Sequence, residues 1–424
     1  MPKSILTIFT VVLSLCALAQ GVVRFAAPSG TGAGTSWADA ASLQTAVDAA
    51  VAGDEIWAAA GTYTGGASPV LTMKEGVSLY GGFTGVETAR GERDWGVNQT
   101  VIDGGGILRC VMGAADATLD GFTVRNGVAD SAGGMYGGAA THCRFENNVA
   151  SGYDANWNEG DALGGALLDG SATDCLFINN SAYAVGYLEF GTRYTAYGGA
   201  MNGGTAVNCK FFGNSAGNGG YGFGGAVAFA TTVNCLFYGN VSDSSGGGAD
   251  LTTAVNCTFV HNTSRYGGGM AGGTAVNCIF RDNAPEDAQG ATITFSCLTQ
   301  AYSGDGNLAA DPLFVDATGA DFRLRAVSPC VDTATPDGAP GDDLLGVARP
   351  QGGGVDMGAY EYWDASGGEG IHSADTNADS AIQLPELLRV IQFFNMSGYA
   401  CDANGVTLDG YTPGAGADHA CTRH

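Results

Sequence analysis

The sequence predicts an all-β chain wound as a parallel β-helix, a solenoid with one long stacked core, and three observations predict it. First, one phrase recurs between Gly133 and Asn283: a Gly pair, then a Cys, then Phe-x-x-Asn. Five copies begin at Gly164, Gly198, Gly224, Gly246 and Gly267 and reach Cys175, Cys209, Cys235, Cys257 and Cys278 eleven residues later. Asn180, Asn214, Asn240, Asn262 and Asn283 follow after five more, and a slightly shorter copy uses Gly133, Cys143 and Asn148. Second, the last copies lie 22 and 21 residues apart, enough for about three short strands and their turns at ~3.3 Å per residue. Third, no Leu framework or helical period runs through the repeats, which excludes leucine-rich and ankyrin-type solenoids.

Composition agrees. Seventy Gly would suit disorder, but 45% hydrophobic residues and only 11 Pro, arranged with a period, describe a folded repeat protein. With 17 Lys plus Arg against 42 Asp plus Glu, the net charge is -25. Nucleic acid is therefore excluded as a partner, and anionic polysaccharide is disfavoured unless calcium mediates.

At the N-terminus, Lys3 precedes the apolar run Ile5 to Leu15, and Ala17-Leu18-Ala19 offers a small-x-small cleavage site. Residues 1–19 read as a secretory signal peptide, too short for a membrane span, so the chain is expected to be secreted or held at a cell surface. Residues 20–105 read as an N-terminal cap and first coils. Val22 to Phe25 suits a strand, and Leu43, Ala46, Val47, Ala50 and Val51 fall at helical spacing. Glu55-Ile56-Trp57, Leu71-Thr72-Met73 and Val77 to Tyr80 read as strands between Gly turns. Residues 106–300 hold the repeats. In Val255-Asn256-Cys257-Thr258-Phe259, alternation places Val, Cys and Phe inside. The Cys of successive copies should stack as an interior ladder, and each terminal Asn should mark a left-handed turn whose amide bonds the Asn one coil on. Phe295 to Leu298 suits a last coil, and residues 301–363 a cap for the far end. Asp332, Asp337, Asp342 and Asp343 within it are acidic enough to bind a cation, with a solvated loop as the plainer reading.

Ser36-Trp37-Ala38-Asp39-Ala40, Gly53 to Trp57, Gly61-Thr62-Tyr63 and Tyr80-Gly81-Gly82-Phe83 resemble the opening of exported bacterial right-handed parallel β-helix proteins of the pectin-lyase-like superfamily. Tyr197-Gly198-Gly199-Ala200 with Phe211-x-x-Asn214 is similar to the repeats of chlamydial polymorphic outer-membrane proteins. The resemblance implies a right-handed coil.

From Gly to Asn each copy is fixed in length, but the return to the next Gly takes 16, 18, 10, 6 and 5 residues. Insertions at one corner of successive coils should stack into a ridge, the candidate binding surface. It carries Tyr153, Asp154, Trp157, Glu159 and Asp161, then Tyr183, Tyr187, Glu189, Phe190, Arg193, Tyr194 and Tyr197, then Tyr221 and Phe223. Aromatic faces beside carboxylates suit sugar rings, with Tyr153, Trp157, Tyr183, Tyr187, Tyr194 and Tyr221 as the binding set. The plainer reading is that these rings only hold the loops down. For catalysis, Glu159, Asp161 and Glu189 are the candidate carboxylates and Arg193 the candidate base. The five His show no metal-ligand spacing, and His142 and His261 suit solvent positions of coils.

Residues 364–372 read as a linker and 373–424 as a calcium-binding segment with a short helix. Asp375, Asn377 and Asp379 supply side-chain oxygens at loop positions 1, 3 and 5, Ala381 its carbonyl at 7, and Glu386 a carboxylate at 12, with Gln383 available at 9. Ser380 replaces the usual Gly at position 6. This loop, an EF-hand-like element, resembles one dockerin repeat; the family docks on cohesins using two, so calcium is the better-supported ligand and a cohesin-like partner the weaker. Cys401 and Cys421, flanking a Gly-rich loop, are the expected disulfide. The reading that follows is a non-catalytic, secreted or surface β-helix protein that binds polysaccharide or cell-surface glycan along the ridge. The alternative is a polysaccharide lyase or glycosidase on the same fold.

Overall fold

The computed structural model describes residues 21–152, 160–184, 194–217 and 221–363, with the backbone of two short paired strands, Tyr399–Cys401 and Tyr411–Pro413. Two compact units divide the chain, Met1–Glu361 and Tyr362–His424. The first is a parallel β-helix.

Among the described residues, five parallel sheets run along it. Sheet I has eleven strands, from Val23–Ala26 to Thr292–Thr294, and sheet II eleven, from Gly61–Tyr63 to Leu308–Ala309. Sheet III has five, from Val128–Ala129 to Val241–Ser242. Sheet IV has three: Ala162–Leu163, Thr195–Tyr197 and Tyr221–Phe223. Sheet V has nine, from Leu71–Thr72 to Ala288–Gln289. A coil without a long loop needs three strands, as predicted: Ala249–Asp250 in V, Thr253–Val255 in I and Thr258–Val260 in II.

Register is exact along the stack, so like residues meet like. Phe145, Phe177, Phe211, Phe237, Phe259 and Phe280 are mutual partners in sheet II. Their rings lie parallel within 10°, with centroids 4.4 to 4.9 Å apart. The expected cysteine ladder is present: Cys143, Cys175, Cys209, Cys235, Cys257 and Cys278 are all buried. Burial pushes the thiols of Cys143, Cys175 and Cys209 well above the ordinary range, so they behave as small apolar fillers.

The asparagine ladder is also present, and its bonding is complete. Asn180 Nδ2 donates to Asn214 Oδ1 at 3.0 Å and to the Phe145 carbonyl at 3.0 Å. Asn180 Oδ1 accepts from both the backbone N–H and Nδ2 of Asn148, each at 3.0 Å. The same pattern passes through Asn214, Asn240 and Asn262 to Asn283. Asn283 Nδ2 then ends the chain of amides on Asp287 Oδ1 at 3.0 Å.

Two expectations about the corners are corrected. The ladder asparagines are not left-handed; the residue before each one is, namely Asn147, Asn179, Gly213, Gly239, His261 and Asp282, with φ between 51° and 65°. The phrase Val-Asn-Cys-Thr-Phe is not one alternating strand either. A second left-handed residue precedes each Cys (His142, Asp174, Asn208, Asn234, Asn256, Asn277) and breaks the phrase between sheets I and II. Val255 therefore lies on the outer face and Ala254 points inward, while Cys257 fills the corner. The paired glycines serve a turn and a close approach: Gly198 has φ 65°, and a Cβ on Gly199 would sit 2.1 Å from the Gly225 carbonyl oxygen.

The helix Leu43–Ala49 buries Leu43, Ala46 and Val47 on the N-terminal end of the core, with Ser42 accepting from Thr45 N–H at 3.2 Å. Val51 was expected on that face; the helix ends before it and it is exposed. At the far end, Tyr302 Oη and Asn307 Nδ2 donate to the carbonyls of Ala291 and Ile293 along the sheet I edge, at 2.8 and 2.9 Å, and so block pairing there. Only the start of 301–363 closes that end, through Leu308–Ala309 pairing with Cys297–Leu298. The rest runs back along the outer I–II corner: Asn234 Nδ2 donates to the Asp342 carbonyl, Asn256 Nδ2 to that of Asp356 and Asn277 Nδ2 to that of Thr335. Arg349 and Glu361, both buried and 2.8 Å apart, fix this strap. Asp343, expected in a solvated loop, is buried there and accepts the Leu345, Val347 and Glu361 N–H groups.

Replacing Asn214 by Ala strands the Asn180 donors, the Phe177 carbonyl and Asn240 Oδ1 in a buried column. Urea unfolding should show a loss of about 3 kcal/mol or more. Ser215→Ala, one residue on at an exposed position, should change stability by about 0.5 kcal/mol or less.

Candidate functional site

The ridge is built from its base. Sheet III ends where the long loops leave, after Ala150, Ala182 and Ala216, and sheet IV is where they return. Ala150, Ala162, Ala182, Ala184 and Ala196 form a small core beneath, with Tyr194 packed against it. Small side chains are needed because departing and returning strands sit close together. The insertions thus stack at one corner of successive coils, as their spacing predicted.

Of the predicted ridge and site residues, Asp161, Tyr183, Tyr194, Tyr197, Tyr221 and Phe223 are described. Asp161 Oδ1 accepts the Thr195 N–H at 2.7 Å, tying one loop's return to the next. Tyr183 lines a groove of about 330 Å³ with Ser181, Ser215, Gly217 and Asp243. Tyr194 anchors the ridge on its alanine core, and Tyr221 is 49% exposed at its edge. Tyr153, Asp154, Trp157, Glu159, Tyr187, Glu189, Phe190 and Arg193 lie outside the described residues. So do the calcium-loop residues Asp375, Asn377, Asp379, Ala381, Gln383 and Glu386, and Cys421 of the expected disulfide with Cys401. Among the described residues no group of three or more His, Cys, Asp or Glu is placed to hold a metal ion. No helix there is long and apolar enough to cross a membrane.

Sheet IV turns aromatic side chains outward. Tyr197 stacks on Phe223, one coil on, with centroids 5.4 Å apart and planes at 23°. Tyr197 also meets Phe229, which belongs to the corner between sheets V and I, at 5.3 Å. The ring column therefore leans from the ridge across the outer face of sheet V. That face carries Leu168, Asn202, Ala228 and Asp250 in register. Asp250 is buried and accepts from Ser245 Oγ at 2.5 Å. Desolvation outweighs that bond and pushes its carboxyl up to about 6.

A second constellation was missed by sequence reading. His142 Nδ1 lies 3.2 Å from Asp120 Oδ1, and its Nε2 lies 3.8 Å from Asp174 Oδ2. Arg93 pairs with Asp120 at 2.8 Å and stacks over Trp95, whose ring meets that of His142 at 4.6 Å. These contacts clamp the loop 84–99 onto the I–II corner, the corner that the strap occupies further along. Aligning the residue before each Cys would have placed His142 and Asp174 in one column with four asparagines.

Because the folded Asp250 carboxyl is pushed up to about 6 from 3.8, its contribution is fully present below about pH 4. It is lost as pH rises to about 6, and above that the buried carboxylate is a cost. Asp250→Asn should therefore stabilise the protein at pH 7.5 by on the order of 2 kcal/mol, with the difference closing near pH 4 in urea midpoints.

Among solved structures the chain is similar to a crystal structure of pectate lyase Pel9A, at 14% identity and a TM-score of 0.42, over 80% of this chain and 96% of that one. No protein-family model and no curated protein matches it. The assignment to the parallel β-helix fold rests on the parallel sheets and ladders of the chain itself.

Proposed function

We propose that this is an exported β-helix protein that binds a glycan along its loop ridge, without catalysis. One observation carries the reading: the variable loops share a continuous base on which aromatic side chains from successive coils, Tyr197 and Phe223, stack outward. Two aromatic side chains one coil apart at the return of the loops give the ridge an apolar edge that suits the C–H groups of sugar rings. Asp161, a candidate acid, is engaged by the Thr195 N–H, which supports a role in holding the loop. The acidic net charge favours an uncharged glycan.

Affinity electrophoresis against a panel of soluble polysaccharides tests the reading. Retardation without release of reducing ends or unsaturated products is expected, and Tyr194→Ala with Tyr221→Ala should weaken it about tenfold. Product release abolished by Asp161→Ala, Glu159→Ala or Glu189→Ala would establish the lyase or glycosidase alternative instead.

The second part of the proposal is calcium binding by Asp375, Asn377, Asp379, Ala381 and Glu386, supported by the spacing of those ligands. A cohesin-like partner for this segment is the further possibility that the dockerin resemblance raises. Calorimetry on the full chain should show one calcium site that disappears in the Asp375→Ala, Glu386→Ala double variant; an unchanged isotherm would remove the assignment.

A further inference from the structure

At the corner between sheets V and I, seven successive coils turn on a left-handed residue. Five use the residues that tolerate it: Gly137, Asp169, Gly203, Gly272 and Gly290. The other two are Phe229, with φ 55°, and Leu251, with φ 46°. A bulky side chain is disfavoured in this conformation relative to Gly. Burial does not offset it, since Phe229 is 48% exposed and Leu251 53%. Two adjacent coils thus hold large apolar side chains out to solvent where the repeat elsewhere spends a glycine. An exposed outlier of this kind is where function is to be sought.

The surroundings indicate what the surface fits. Phe229 meets Tyr197, and Tyr197 stacks on Phe223, so ridge and corner make one aromatic surface. Beneath it, on the outer face of sheet V, Asn202 is register partner to Ala228, the residue before Phe229. Asn202 Nδ2 is buried with no hydrogen-bond partner among the described residues, an arrangement that folding disfavours. Asp250, with Ser245, follows one coil beyond Ala228. Charge then narrows the class. The corner column and the sheet V column beside it contain Asp169 and Asp250 and no Lys or Arg. Uronates, phosphates and acidic lipids would be repelled.

We infer that Phe229 and Leu251, beside the Tyr197–Phe223 pair, form an exposed apolar platform for the C–H face of uncharged sugar rings. This rests on the glycan reading above and narrows it to a neutral polysaccharide at a stated place. The rings lie on the sheet V side of the ridge, and the left-handed backbone at 229 and 251 aims the two side chains outward from the coil.

The test is a double variant, Phe229→Gly with Leu251→Gly, which restores the residue that other coils use. Its thermal midpoint should be kept or raised, since the left-handed conformation suits Gly. Binding to soluble neutral β-glucan, mannan or xylan should weaken about tenfold or more. Polygalacturonate, as the anionic comparison, should not bind the wild type. If the wild type binds a neutral polysaccharide and the glycine variant binds it equally well while Tyr194→Ala with Tyr221→Ala does not, the ridge reading stands and the platform is overturned. Binding to polygalacturonate alone, or self-association of the wild type that the glycine variant abolishes, would also overturn the platform. Failure of the wild type to bind any member of the panel removes both readings.

Discussion

The repeating coils of the β-helix depend on the buried asparagine amide at the end of their sheet II strand. Its oxygen accepts two hydrogen bonds from the preceding coil's asparagine, and its nitrogen donates one to the preceding coil's backbone and one to the next asparagine. No valence is left over, which is the condition for burying so polar a group. Aspartate could not donate, and glutamine is a methylene too long for this spacing. The amides point one way, so the column carries a dipole whose donor end reaches Asn283. There Asp287 receives it, accepting from Asn283 through Oδ1 and from the Thr299 N–H through Oδ2 at 2.6 Å. A carboxylate at the positive end of a row of aligned amides is the same electrostatic solution that helices use at their N-termini.

Fixing this column fixes the rest of the coil. Phenylalanine must stand three residues before the asparagine, because its carbonyl takes the amide of the next coil and its ring lies on the phenylalanine above. Cysteine must fill the preceding corner, where only a small side chain fits inside a left-handed turn; its thiol reaches a carbonyl of the coil before, as Cys209 does to Ala172. Eleven and five residues are therefore closure distances. The return arc lies beyond the asparagine and is released from them, which is why it alone varies.

Most of this frame was legible in the sequence, because an inward position repeats wherever its neighbours above and below are its own copies. The Gly pair, Cys, Phe and Asn announced themselves for that reason, and the ladder bonding followed from one amide stacked on another. The corners were misread because alternation was carried through a strand that in fact breaks at the residue before Cys. That column of His142, Asp174, Asn208, Asn234, Asn256 and Asn277 contains only residues that tolerate positive φ, so the break was recoverable. The strap was not recoverable. Its contacts join residues about 100 positions apart, as Asn256 with Asp356 does, and nothing local marks Asp343 as buried. Asn202 and Asp250 on the outer face of sheet V were hidden for the same reason, since only register across coils places them on one face.

A repeat protein gives two kinds of departure from its own pattern, and they differ in what they imply. Variation in the long loops costs the frame little, since loop length adds only slowly to the entropy of closure. It shows that the arc is free without showing that any residue in it is used. Phe229 and Leu251 depart at a position where the backbone itself prefers Gly, and the left-handed turn charges that preference to each coil separately. The two coils adopt it side by side, next to the ring column of Tyr197 and Phe223, and against a buried Asn202 amide whose nitrogen has no partner among the described residues. Folding rewards none of these choices singly. Their coincidence on one surface is the physical ground for placing recognition there, where the repeat breaks a rule it keeps in its other coils.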